Sequence, residues 1–186
     1  MQALPGLAAL AAAWVVLTAP GAWAGDRLVL RADLDGDGAE ETWRLVRGEG
    51  DLGDLVVETA GESRTVRGIV WWGPMPGQEP WLDLSPAGSV RIGSGNDAVG
   101  RHRWQMVLTV AHRRGEAQVA GLTYTWRDTL DPAAGGRCDL NLLTGRGERE
   151  TEAGAETVTG VGQAVPLWSW DEAQGWAGLD PCGMSD

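Results

Sequence analysis

Residues 104–111 and 119–126 constrain the fold of this chain more than any other stretch. Trp104, Met106, Leu108 and Val110 alternate with more polar neighbours, and Ala120, Leu122, Tyr124 and Trp126 repeat the pattern further along. A period of two places successive side chains on opposite faces of a strand, so each run carries one apolar face. His112-Arg113-Arg114-Gly115-Glu116 forms the polar turn between them. The pair predicts a long antiparallel hairpin with one buried side.

The same grammar recurs. Short runs at 42–46, 55–59, 64–70, 89–93 and 138–143 are separated by clusters of Gly, Pro, Asn and Asp, which is how strands are punctuated. No amphipathic helix of three turns occurs after residue 25. The clearest helical signal is Ser169-Trp170-Asp171-Glu172, a capping-box pattern that opens one short turn before Gly175. The fold class expected is mainly β: a single antiparallel β domain, as a sheet, a sandwich or a partly open barrel, with at most short helical turns.

The first 25 residues carry no charged side chain. An apolar run at 7–17 (LAALAAAWVVL) is followed by Pro20-Gly21 and then by Ala22-Trp23-Ala24, a small-x-small cleavage pattern. Residues 1–24 are expected to be a signal peptide, leaving 25–186 as one exported β domain, periplasmic or secreted. The alternative is an uncleaved anchor, but Pro5-Gly6 and Pro20-Gly21 bracket a run shorter than the roughly 18 residues expected of a span. Cys138 and Cys182 both follow that segment, and an oxidising compartment favours joining them as a disulfide over leaving two thiols. They form no zinc pattern, because there is no CxxC pair and His102 and His112 lie elsewhere.

The formal charge is −11, and all fifteen basic side chains are arginine. Such a chain repels phosphate backbones and anionic lipid heads, which argues against nucleic acid and membrane surfaces as partners. Cations or basic partners fit the charge better, and the partner expected is an unknown protein or a glycan.

Near the start of the exported part stands Asp33-Leu34-Asp35-Gly36-Asp37-Gly38-Ala39-Glu40-Glu41. Acidic residues at alternate positions of a tight turn converge their oxygens, and Ca²⁺ takes six to eight hard oxygen ligands at about 2.3–2.6 Å. Gly36 and Gly38 give the backbone access to positive φ. The candidate ligands are the side chains of Asp33, Asp35, Asp37 and Glu41 and the carbonyl of Ala39. An EF-hand is ruled out by Arg44 at the twelfth position, where a bidentate Glu belongs, and by flanks (RLVLRA and TWRLV) that are strand-like. The alternative is a metal-free Asp-Gly hairpin turn.

This loop resembles the strand-embedded calcium loops of the FG-GAP or VCBS type. The resemblance covers about fifteen residues and occurs once, whereas a propeller needs at least about four blades. A second likeness spans Asn96, Gly100-Arg101, Arg103-Trp104, Leu108-Thr109, Ala120-Gly121, Tyr124, Asp128-Thr129 and Asn141-Leu142-Leu143-Thr144-Gly145. These resemble uncharacterised exported bacterial proteins that also begin with an acidic DxDGDG loop. The likeness implies a common small β domain and no known activity.

Signatures of catalysis are sparse. His102 and His112 sit at either end of one strand, roughly 33 Å apart at about 3.3 Å per residue, too far to share a site. There is no GxSxG elbow, and no Walker loop is available without lysine. Asp128 and Asp131 are a conceivable glycosidase pair among twenty-six acids.

Nine of the eleven tryptophans follow residue 25, with one tyrosine and no phenylalanine, so most are expected to build the core. Trp71-Trp72 is the exception. Adjacent strand residues face opposite ways, so if the pair continues a strand of a sheet covered on one side only, one indole stands exposed near the calcium loop as a glycan platform. The leading reading is a noncatalytic calcium-binding domain with a structural or interaction role. A lectin-like, carbohydrate-binding module is second, and a hydrolase third.

Overall fold

The computed structural model describes residues 28–184; the expected signal peptide, residues 1–24, lies outside them. The chain is mainly β, in two antiparallel sheets. A four-stranded sheet runs in sequence order: β1 (Val29–Ala32), β2 (Glu41–Arg47), β3 (Leu52–Glu58) and β4 (Ser63–Trp71). The larger sheet contains β5 (Trp81–Leu84), β6 (Val90–Asn96), β7 (His102–Arg113), β8 (Glu116–Asp128), β9 (Gly136–Asn141), β10 (Arg146–Thr151) and β11 (Gly154–Val158). Each pairs with its sequence neighbour, and β12 (Val165–Pro166) pairs with the start of β8 beside β9. One helix, α1 (Glu172–Ala177), follows.

The sheets share one hydrophobic core, which explains the alternation. Glu41, Trp43 and Leu45 of β2 and Gly53, Leu55 and Val57 of β3 point inward, with half-buried neighbours between them. From the large sheet Ile92, Leu108, Leu122 and Leu140 meet them. The small sheet approaches the large one along its β5 and β6 margin, where β1 and β2 lie against β5, and β4 against β6.

The predicted hairpin forms, with Trp104 opposite Trp126, Met106 opposite Tyr124 and Leu108 opposite Leu122. Two details differ from expectation. The register shifts after Thr109, so Val119 rather than Ala120 faces Val110, and both are buried. The turn itself narrows to Arg114-Gly115, with φ of 55° and 83°. Positive φ at both central residues is the type I′ geometry, whose twist matches that of the flanking strands.

The helical signal is displaced. Asp171, not Ser169, caps α1, its Oδ1 accepting from the Gln174 N–H at 3.0 Å. Ser169 instead ends the short 3₁₀ turn Leu167–Ser169 and donates its hydroxyl to the Pro166 carbonyl at 2.9 Å. Gly175 lies inside the helix rather than after it. A Cβ there would sit 2.9 Å from Met106 Sδ, so glycine lets the helix approach β7.

Cys138 and Cys182 are joined, both buried, with their Cα atoms 6.3 Å apart. The bond fixes the last 3₁₀ turn, Asp180–Cys182, to β9, so the C-terminal segment is fastened over the large sheet. That segment completes an aromatic cluster. Trp176 of α1 meets Trp104 at 5.0 Å and Tyr124 at 5.7 Å between ring centroids, and Trp71 packs on Trp104 at 5.3 Å. Burial in this cluster pushes the Tyr124 hydroxyl up to about 12. Among the described residues, no helix is long and apolar enough to cross a membrane.

Candidate metal loop and its surroundings

The acidic loop joins β1 to β2, and Ala32 pairs with Glu41 where the two strands meet. Its roots are firm: Ala32 and Trp43 are buried, while Asp33, Asp35 and Asp37 are exposed. The backbone winds around the carboxylates. Asp33 accepts from the Gly36 N–H at 2.8 Å through Oδ1 and from the Gly38 N–H at 3.0 Å through Oδ2. Asp35 Oδ1 accepts from the Asp37 N–H at 3.1 Å, and Asp37 Oδ1 from the Ala39 N–H at 2.7 Å. Gly36 and Gly38 have φ of 79° and 91°, the positive values expected of them.

One oxygen from each of Asp33, Asp35 and Asp37 lies within 4.8 Å of the others. Two oxygens bound to one Ca²⁺ at up to about 2.6 Å can stand no more than about 5.2 Å apart, so this spacing fits a shared cation. Glu41 is outside the triplet. It is 8 % exposed at the head of β2, and its Oε2 accepts from the Leu34 N–H at 2.9 Å, tying the two ends of the loop together. Ala39 follows the triplet on the exposed side, with its N–H directed to Asp37.

Beside the loop is a cavity of about 230 Å³, lined in part by Asp35, Glu41, Trp43, Arg64, His112 and Trp168. Sequence reasoning did not bring Arg64, His112 or Trp168 to this place. They arrive from β4, the end of β7 and the C-terminal segment, and the Arg64 guanidinium lies 3.7 Å from the Trp168 ring centroid.

The expectation that Trp71 or Trp72 stands exposed is corrected. Trp72 is 6 % exposed and belongs to the core, and Trp71 is half-buried against Trp104. Trp72 follows the end of β4, and the Arg47 guanidinium lies 4.8 Å from its ring centroid. Of the nine tryptophans among the described residues, Trp43, Trp72 and Trp170 are buried and the other six half-buried.

His102 and His112 fall at the two ends of β7, as expected. Asp128 and Asp131 have structural partners. Asp128 ends β8, only 6 % exposed, and is ion-paired to Arg101 Nε at 2.6 Å. Its Oδ1 also accepts from the Leu130 and Asp131 N–H groups at 2.8 and 3.1 Å. Asp131 caps the 3₁₀ turn Pro132–Ala134.

The Arg101 hydrogen bond, helped by those backbone donors and opposed by burial, lowers the Asp128 pKa to about 2 from its ordinary 3.8. A depressed folded value stabilises the fold above the unfolded pKa, and that contribution disappears as pH falls through the folded one. Melting temperature is therefore expected to drop between about pH 4 and pH 2, with a shallower drop in Asp128→Asn. Thermal melts of both proteins across that range check this. Parallel curves would mean that Asp128 does not contribute.

The fold and loop define a disulfide-linked, two-sheet β protein with an aspartate triplet on a strand-to-strand turn. No family model, curated protein or solved structure matches the chain.

Proposed function

We propose that this chain is a noncatalytic, exported calcium-binding β domain of the periplasm or extracellular space, with a structural or interaction role. One Ca²⁺ held by the 33–41 loop, of the FG-GAP or VCBS type, fixes the turn between β1 and β2. The observation that carries the reading is the convergence of three exposed aspartate oxygens within 4.8 Å on a loop whose ends are anchored in the core. Like charges this close disfavour one another without a cation between them. Three carboxylates are a partial shell for Ca²⁺, and backbone or water oxygens complete it. The buried disulfide fits an oxidising compartment. The separation of the two histidines and the structural bonding of Asp128 and Asp131 support a noncatalytic role.

Binding to the folded state adds directly to stability. At a free Ca²⁺ concentration of 100 times Kd the gain is about 2.7 kcal/mol. For a domain of this size that raises Tm by about 5–10 °C. Thermal unfolding in EDTA, Ca²⁺ and Mg²⁺ is expected to show the rise with Ca²⁺, little with Mg²⁺, and none in Asp35→Ala. Identical melts in the three buffers would remove calcium from the account.

A further inference from the structure

A cleft of about 500 Å³ opens at the β7–β8 turn, bordered by Arg113 and Arg114 of that turn and by parts of the chain at 142–145 and 161–164. None of the candidate calcium ligands borders it. Backbone hydrogen bonds hold its segments together. The Leu142 N–H donates to the Ala120 carbonyl and the Ala164 N–H to the Leu142 carbonyl, each at 3.0 Å, and Val165 pairs with Val119 of β8. Asn141 Oδ1 fixes the Leu143 and Thr144 N–H groups at 3.1 Å each. The border of the cleft is therefore built into the sheet.

Its charge sets it apart. No carboxylate borders it, although the chain has 26 acidic residues and a net charge of −11. Arg113 and Arg114 are exposed, and among the described residues neither is ion-paired. Arg113 Nη1 donates to the His112 carbonyl at 2.7 Å, whereas Arg114 makes no side-chain hydrogen bond among the described residues. Glu116 stands opposite Arg113 in the ladder, but its Oε1 accepts from Gln118 Nε2 at 3.2 Å.

The backbone gives a second, independent sign. Arg114, with φ of 55°, is the one non-glycine residue at positive φ among the described residues. Asn and Gly enter that region more readily, and Asn-Gly is the favoured centre of a type I′ turn. The Arg114 side chain makes no bond within the fold that would offset the strain. A residue held this way points to a use for its side chain outside the fold.

The rest of the border says what the cations would meet. Leu143, Val161 and Ala164 are apolar, and Leu143 is 44 % exposed. Gln118, Gln163 and Thr144 are neutral groups that both donate and accept, as peptide amides do. Guanidinium groups bind a carboxylate through paired N–H donors. A polyanion fits poorly, because two arginines do not outweigh the repulsion of the remaining charge. The end of a peptide chain brings a carboxylate, a side chain and an amide within one residue.

We infer that this cleft binds the carboxylate end of a peptide whose last residue is apolar, with Arg113 and Arg114 on the carboxylate and Leu143 and Val161 against the side chain. The site is separate from the calcium loop and does not rest on it.

The test is an NMR titration of the isotope-labelled protein, read at its backbone amides, with N-acetyl-Ala-Ala-Leu as the free acid, the same peptide as its C-terminal amide, and octanoate. It is run in EDTA, so the fate of the calcium reading leaves the outcome untouched. The free acid is expected to give saturable shifts at 113–118, 142–145 and 161–164, and the amide none. Arg113→Ala combined with Arg114→Asn is expected to weaken binding about ten-fold or more. Arg114→Asn alone is expected to weaken binding while Tm stays at or above the parent value, since asparagine suits the turn. No saturable shift from the free acid at millimolar concentration overturns the proposal. So do equal shifts from the amide, saturation by octanoate alone, or binding unchanged in the double variant.

Discussion

Replacing Cys138 and Cys182 together by alanine is expected to lower the unfolding free energy by about 4 kcal/mol. The two residues are 44 apart in sequence, and closing a loop of that length restricts the unfolded chain by about this amount on the chain-entropy account. For a domain of this size Tm falls by about 8–16 °C. The folded-state consequence is local: β9 would keep its ladders with β8 and β10, while the 3₁₀ turn at Asp180–Cys182 would lose its covalent tie. Urea denaturation of parent and double variant measures the difference. A loss below about 1 kcal/mol would show that packing of Leu179, Trp170 and Trp176 holds the C-terminal segment without the bond.

Trp43→Ala is expected to cost about 3–5 kcal/mol, the range for removing a large aromatic side chain from a core. Trp43 is 2 % exposed in β2 and lies two positions after Glu41, so it anchors the strand that leaves the acidic loop. Among the described residues its Nε1 has no hydrogen-bond partner. Stability there comes from packing alone, and Trp43→Phe is expected to cost less than half as much. Urea midpoints for the two variants decide the matter. A phenylalanine variant as unstable as the alanine one would mean that the indole N–H is bonded in the folded protein.

Periodicity made the centre of the large sheet legible and failed at its margins. The β7–β8 hairpin could be read because one face is buried through its centre, at Met106, Leu108 and Val110 and at Val119, Leu122 and Tyr124, so alternation is written into both strands. β10 and β11 carry Arg-Gly-Glu-Arg-Glu-Thr and Gly-Ala-Glu-Thr-Val, with most positions exposed, and no apolar alternation marks them. β9 was expected to run to Leu143 but stops at Asn141, whose Oδ1 accepts from the Leu143 and Thr144 N–H groups at 3.1 Å each. A side chain that satisfies the turn competes with the ladder, and the strand ends there.

The candidate site was legible in part for a similar reason. Asp33, Asp35 and Asp37 are close in sequence, and a turn around two glycines brings their oxygens together. Glu41 shares their spacing but already lies on β2, where the pleat directs it inward to the Leu34 N–H. Trp71 and Trp72 misled because strand alternation assumes a sheet covered on one side. Trp72 lies past the end of β4 in the core, and α1 brings Trp176 onto the cluster that half-buries Trp71.

The measurement that tests the central claim most directly is calorimetric titration of Ca²⁺ into the metal-stripped protein, beside the same titration of Asp33→Asn with Asp37→Asn. The account predicts one ion per chain in the parent, Mg²⁺ binding far weaker, and no saturable heat in the double variant. No saturable heat in the parent, or an unchanged isotherm in the variant, would contradict a calcium site at the β1–β2 loop.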